Sequence, residues 1–324
     1  MLSRVAENLY WISRYVERAE DLSRLLDDAF SLGLEAGAHA DGLRPLESVL
    51  TMLDGKDVYA KYRASADVQP PGDVPASEAD ERDAVLHFLT FDKHDGVSIR
   101  SLVARARENA RGTQEALSGE VWSQLNKLYL FLNSDRTARQ FAATPHRCLT
   151  RVRRECVLFA ALIDGTLPRT EAFHFLQVGR YLERVDMLSR IMHVHCQGIT
   201  ATNADSGFPP SHWTALLRGT SAHEAYLRHA GEYIDPVGVV SYLLLEGDFP
   251  RSMRFGVARC LESLKAIAGG GASDAERHMG RLESDLRYMD VADLFRRGVG
   301  AFLTNVQEVC AAVGSSVHQA YFRT

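Results

Sequence analysis

The chain has 324 residues, enough to bury a sizeable core without disulfides or metals. Its 46% hydrophobic and 24% charged content is ordinary globular usage, which excludes a disordered chain, and nowhere do about 18 apolar residues run together as a membrane-spanning helix requires. Thirty-seven basic against 42 acidic residues give a net charge of −5, so there is no overall pull toward nucleic acid or anionic lipid.

Apolar residues at Val5, Leu9, Ile12, Val16, Ala19, Leu22, Leu26 and Ala29 recur every three or four positions. They predict one long helix with Ser3 as its N-cap and Gly33 as its stop. A shorter segment follows from Leu43 to Leu53, and Ser65 to Asp80, which holds Pro70, Pro71 and Pro75, reads as a surface connection. Helical periodicity then runs through Asp80–Phe91, Ser98–Leu117 and Glu120–Ala142, and Pro145 opens a segment ending near Gly165. Pro168 sits where a first turn tolerates it, ahead of a long amphipathic stretch from Thr170 to Gln197.

Gly198 to Ser211 is a second loop. Beyond it, Ser221 with Glu224 and Ser273 with Glu276 match the S-x-x-E capping box, and Asp235 before Pro236 starts a further helix. Gly269-Gly-Gly271 separates a helix beginning near Phe249 from one beginning at Ser273. No alternating strand pattern occurs, and the apolar run Val237–Leu245 suits a strand or a buried helix. Only 10 residues are proline, which leaves room for long uninterrupted helices. The chain reads as all-α with about ten helices.

Five cysteines, Cys148, Cys156, Cys196, Cys260 and Cys310, are odd in number, widely spaced and without a Cys-x-x-Cys pair. Neither a disulfide framework nor a zinc ribbon is expected, and a reducing cytoplasm fits best. The first residues lack the continuous apolar core of a signal peptide.

The first and the central long helix look alike. Residues 14–26 (RYVERAEDLSRLL) align without a gap on 180–192 (RYLERVDMLSRIM), a shift of 166 residues with seven of thirteen positions identical. The apolar stripe follows the same shift, because Leu9, Ile12, Val16, Ala19, Leu22 and Leu26 become Phe175, Val178, Leu182, Val185, Leu188 and Met192. The expected architecture is one helical-bundle domain over residues 1–324, built from two related halves, about 1–165 and 166–324, packed on one core.

At 100° per residue, Arg14, Glu17, Arg18, Asp21 and Arg24 fall opposite the stripe through Ile12, Val16 and Ala19. Two readings stay open. The repeated Glu-Arg pairs either lie on a solvated face, with weak Arg14–Glu17 and Glu20–Arg24 pairs, or line a cleft shared by the two helices. In the second case Glu17, Arg18, Glu183 and Arg184 form a polar site for a carboxylate, a phosphate or a partner chain.

These residues carry a family resemblance. Residues 10–20 (YWISRYVERAE) and 179–186 (GRYLERVD) resemble the two signature helices of the alpha-E family, predicted α-helical bacterial proteins with a Glu-Arg motif. The segments SIRSL (98–102), ARENAR (106–111) and EVWSQLN (120–126) resemble the family's middle part, and FPRSMRF (249–255) resembles its C-terminal motif. Members are typically encoded beside, or fused to, a circularly permuted ATP-grasp protein, often with a transglutaminase-like protease nearby. The resemblance therefore implies a helical component of an amide- or peptide-ligation or peptide-processing system. Those two proteins would be its partners, and a non-catalytic helical scaffold is the alternative.

Within that reading the candidate polar cleft comprises Arg14, Glu17, Arg18, Arg180, Glu183 and Arg184, joined by Arg107, Glu108 and Arg111 and by Arg251 and Arg254. No nucleotide-binding loop is present, so ATP and magnesium, if used, are expected on the ATP-grasp partner and no cofactor on this chain. Glu171 and His174 have the Glu-x-x-His spacing, but a di-iron site needs a second copy that the sequence lacks, so no metal is expected. His193, His195 and Cys196 diverge around a helix and read as packing or exposed residues. Arg147, Arg151, Arg153 and Arg154 read as a solvated cluster, and no Gly-x-Ser-x-Gly or Cys-His signature supports a hydrolase. In 249–255, a proline just inside a helix start and two arginines at the positive end of the dipole are expected to suit a bound anion.

Overall fold

The computed structural model describes residues 1–35, 44–64, 78–93, 96–197, 209–231, 233–269 and 272–322. The loop around Pro70, the segment 198–208 of the second loop, and Gly270 with Gly271 lie outside the described residues. Among the described residues there are sixteen α-helices and no strand, rather than about ten helices.

The extra helices come from short elements and from breaks that periodicity does not register. The run Glu120–Ala142 divides into α6 (Gly119–Leu132) and α7 (Asp135–Ala143). Asn133 ends α6: its side-chain amide donates to the Tyr129 carbonyl (2.8 Å), while Arg100 holds its side-chain oxygen at 2.6 and 2.9 Å. Ser221 does not cap α11 (His223–Ala230), because the chain turns left-handed there (φ 55°) instead of the extended conformation a cap needs. Ser273 does cap α14 (Asp274–Arg287), accepting from the Glu276 amide (3.2 Å), and Asp235 caps α12 (Pro236–Leu245), accepting from the Gly238 amide (2.7 Å). The apolar run 237–245 is therefore a buried helix. Ser3 is the first residue of α1 (Ser3–Glu35), one place after the cap position held by Leu2, Gly33 lies within its last turn, and Pro168 precedes α9 (Glu171–His195).

Helices α1 and α9 form the centre. They cross at Gly179, where an added Cβ would lie 2.2 Å from the Tyr10 carbonyl oxygen, so only glycine admits this backbone approach. α1 also packs on α2 (Arg44–Met52), α5 (Ile99–Arg111) and α8 (Pro145–Thr166). α9 packs on α10 (Pro210–Gly219), α13 (Met253–Ala268) and α16 (Val299–Val317). The next shell repeats the order: α6 lies on α5 and α8, and α14 lies on α13 and α16. α4 (Glu78–Phe91) lies on α5 and α12 on α13, while α3 (Lys56–Ala64) lies on α4 and α11 on α12. α7 lies on α8 and α15 (Val291–Arg297) on α16. The crossed contacts α1·α10 and α2·α9 are reciprocal as well. Buried side chains from all of these helices except α3 form one core, and Val58, Tyr59 and Tyr62 of α3 pack against it partly buried.

The predicted stripes face that core: Leu9, Ile12, Ala19, Leu22 and Leu26 are fully buried, as are Val178, Leu182 and Met192. The opposite side of α1 is not solvated. Glu17, Glu20, Asp21, Arg24 and Asp27 are buried too, because α5, α8, α9 and α10 enclose the helix.

Candidate functional site

The buried charges follow from the shift of 166 residues, which turns Arg14, Glu17 and Arg18 on α1 into Arg180, Glu183 and Arg184 on α9. Crossing the two helices places each glutamate against the other helix's arginines. Glu183 accepts from Arg14 Nε (2.6 Å) and from Arg18 Nε and Nη2 (2.5 and 3.1 Å). Reciprocally, Glu17 accepts from Arg184 Nε (2.6 Å), with Arg180 Nε at 3.7 Å. The intrahelical Arg14–Glu17 pair is not made; the contacts run between helices.

Glu183 is fully buried, and burial alone would raise its carboxyl; the guanidinium groups of Arg18 and Arg14 outweigh this and hold its pKa at about 2. One turn further along, the same relation continues with Glu20–Arg24 on α1 and Asp186–Arg190 on α9, both i,i+4 pairs. The two sides then diverge, because Asp21 has Met187 as its counterpart. Arg251, in the turn before α13, donates to Glu20 (2.7 Å) and Asp21 (3.2 Å), and Arg24 also donates to Asp21 (3.2 Å). Burial raises the Asp21 carboxyl to about 7, assisted by the charges of Glu20 and Glu17 and opposed by Arg251 and Arg24. Asp186 is raised as well, by burial and by Glu183.

Of the eleven sequence-predicted residues, the structure brings together seven: Arg14, Glu17, Arg18, Arg180, Glu183, Arg184 and Arg251. Arg107 binds Asn126 (2.8 Å) and lies over the Tyr129 ring, and Glu108 and Arg111 pair with each other (3.0 Å) on the exposed side of α5. Arg254 donates to the Leu245 carbonyl at 3.4 Å, at the turn between α12 and α13. The 249–255 segment also differs from expectation. Pro250 and Arg251 precede the helix, Ser252 is the N-cap, and the anion facing Arg251 is supplied by Glu20 and Asp21 of this chain.

Glu20, Arg24, Asp186 and Arg190 were outside the predicted cleft, although the same shift relates them. Glu17, Glu20 and Asp21 bring carboxylate oxygens within 4.8 Å of one another, a metal-like spacing, but arginines neutralise all three. His195 Nδ1–H donates to the Ile191 carbonyl (2.9 Å), and burial pushes its pKa down to about 4. Burial pushes the Cys148, Cys196 and Cys260 thiols up to about 12, which makes them poor nucleophiles.

Two cavities among the described residues are lined by the Glu-Arg crossing of α1 and α9. The smaller, about 180 Å³, is lined by Glu17, Glu20, Arg180 and Arg184 and is bordered by Pro250 and Arg251. The larger, about 570 Å³, is lined by Arg14, Arg18, Asp186 and Arg190 together with Trp11 and α16. Such a volume accommodates a small molecule, and guanidinium groups beside aromatic rings suit anionic or peptide-like ligands.

The Alpha-E family model, described as a predicted alpha-helical domain with a conserved ER motif, matches residues 1–322. Uncharacterized proteins of Mycobacterium bovis and Mycobacterium tuberculosis are each 20% identical to the chain over 319 residues, which is 97% of the chain. The chain spans 35% of the length of these curated relatives. No solved structure matches it significantly. With its paired Glu-Arg helices at the centre of an all-α fold, the chain belongs to the Alpha-E family.

Proposed function

We propose that this protein is the helical binding component of an ATP-grasp-associated amide- or peptide-ligation or peptide-processing system. The observation that carries the reading is the α1–α9 seam, where buried glutamates fix arginine side chains at the edge of a cavity large enough for a small molecule. Preoriented guanidinium forks bind anions at low entropic cost. In this reading Arg14, Glu17, Arg18, Arg180, Glu183, Arg184 and Arg251 build the binding centre. Arg107, Glu108, Arg111 and Arg254 are contacts for the partner.

The partner is a circularly permuted ATP-grasp protein, with a transglutaminase-like protease as a second one, and ATP with magnesium belongs to the ATP-grasp partner. The relatives' greater length supports a domain that works beside others in one chain. The five buried free cysteines suit a reducing cytoplasm. Matching packing orders around α1 and α9 support one domain of two related halves, about 1–165 and 166–324.

The test is co-expression with the ATP-grasp protein, followed by co-purification and by amino-acid-dependent ATP turnover. Stable association and turnover that requires this chain are expected; turnover indifferent to its omission refutes the reading. The alternative, a non-catalytic scaffold, is favoured by the mutual satisfaction of the Glu-Arg pairs inside the protein. Under that alternative, variants at the cavity rim leave turnover unchanged.

A further inference from the structure

The two cavities at the seam are counterparts under the shift of 166 residues, but only one is stoppered by the chain itself. On the smaller side, Arg251 inserts a guanidinium between Glu20 and Asp21, and the Pro250 carbonyl accepts from Arg184 Nη1 (3.0 Å). On the larger side Met187 replaces the second carboxylate. No arginine from a turn reaches Asp186 among the described residues. What remains is an open cavity in which Arg14, Arg18 and Arg190 face Glu183 and Asp186, with the exposed Asp54 against Arg190 as a third carboxylate.

Among the described residues, Arg14 uses Nε on Glu183 and Nη1 on the Tyr10 hydroxyl, and Arg18 uses Nε and Nη2 on Glu183. Arg190 uses Nε on Asp186 and Nη1 on the Met52 carbonyl and Asp54. One terminal nitrogen of each arginine is left for another acceptor. Arg18 and Arg190 keep about a third of their side chains exposed (30% each), so a ligand can reach them. Beside them, Trp11 and Phe322 give the cavity an aromatic wall. Guanidinium groups with terminal nitrogens to spare suit a planar two-oxygen acceptor such as a carboxylate.

We propose that the cavity between α1, α9 and α16 binds a carboxylate-bearing ligand, its carboxylate held by Arg18 and Arg190 and its apolar part against Trp11 and Phe322. This deepens the binding reading above and rests on it for the ligand's role, though not for its chemistry. Two sources share that chemistry: a free N-acylated amino acid and the C-terminal carboxylate of a peptide.

The test is isothermal titration of the full chain with N-acetyl-phenylalanine, with a phenylalanine-terminated tripeptide, with the C-terminal amides of both, and with inorganic phosphate. Carboxylates are expected to bind and their amides to bind about tenfold or more weakly. The stronger carboxylate identifies the source. Arg190→Gln is expected to weaken binding by about 10–100-fold, as loss of a charge-assisted bond does. Ala311→Trp, at an exposed position on the cavity rim, is expected to abolish binding by filling the space without entering the core. Absence of carboxylate binding, equal affinity for acid and amide, tighter binding of phosphate, or binding unaffected by Ala311→Trp would each overturn the inference. Carboxylate binding without any effect on an ATP-grasp partner would sink the ligation reading alone. A functional complex with no carboxylate binding would sink this inference alone.

Discussion

Replacing Glu183 by glutamine should destabilise the protein by about 3 kcal/mol, a figure reached by two routes. The carboxyl is fully buried and held at about 2 against an ordinary 4.5, and at about 1.4 kcal/mol per pKa unit this corresponds to about 3 kcal/mol of charge-dependent stability. Independently, removing one member of a buried ion pair strands its partners at a cost of about 3–5 kcal/mol, and here Arg14 and Arg18 are both stranded. With an unfolding entropy of about 2.1 cal/mol/K per residue, 3 kcal/mol lowers the melting temperature of a chain this size by about 4 °C. Differential scanning fluorimetry at pH 7 reads this directly. Because the folded pKa is depressed, the contribution is present above pH 4.5 and is lost as pH falls toward 2, so wild type and Glu183→Gln should converge in acid. A shift under about 1 °C at pH 7, or a difference as large at pH 2 as at pH 7, would refute the reading of Glu183 as a stabilising buried carboxylate.

Other outcomes follow from the same geometry. Gly179→Ala drives a Cβ to 2.2 Å from the Tyr10 carbonyl, backbone against side chain with nowhere to yield, and should cost about 3 kcal/mol or more in urea titration. Arg251→Met leaves Glu20 and Asp21 with Arg24 alone; it should lower the urea midpoint, and adding Asp21→Asn should restore part of the loss. Asp21 has the opposite sign to Glu183. Its folded pKa is raised to about 7, so its contribution is full below 3.8 and is lost as pH rises through 7, and Asp21→Asn should flatten the decline in melting temperature between about pH 4 and 7.

The apolar stripe of α1 was legible in the sequence because helical spacing determines which residues share a side. The burial of the other side was not, since spacing cannot say how many neighbours surround a helix. Glu17 and Arg18 could be read as a repeated pair, yet their true partners lie 165 and 167 residues away and emerge only when the helices cross. The helix count ran low for a different reason: only Asn133 and Ser134 separate α6 from α7, with no glycine or proline between them, and Asn133 is held by Arg100 from another helix. The larger cavity was invisible at the level of motifs, because α16 contributes Gln307, Ala311 and Ser315 without a distinctive pattern. Asp186 and Arg190, by contrast, could have been found by extending the repeat one turn beyond the Glu-Arg pair.

The reciprocal exchange between α1 and α9 also acts as a proofreading device for assembly. Each central helix carries a carboxylate whose neutralising arginines sit on the other, so neither helix can be buried in its native surroundings alone without trapping uncompensated charge. Sliding one helix past the other by a single turn, about 5.4 Å, would separate the guanidinium groups from the carboxylates on both sides of the crossing at once. Apolar stripes alone tolerate such slippage. The ionic crossing makes the correct docking of residues 1–35 against 171–195 an all-or-none event, so a chain severed between α8 and α9 should regain its fold only when both pieces are present together.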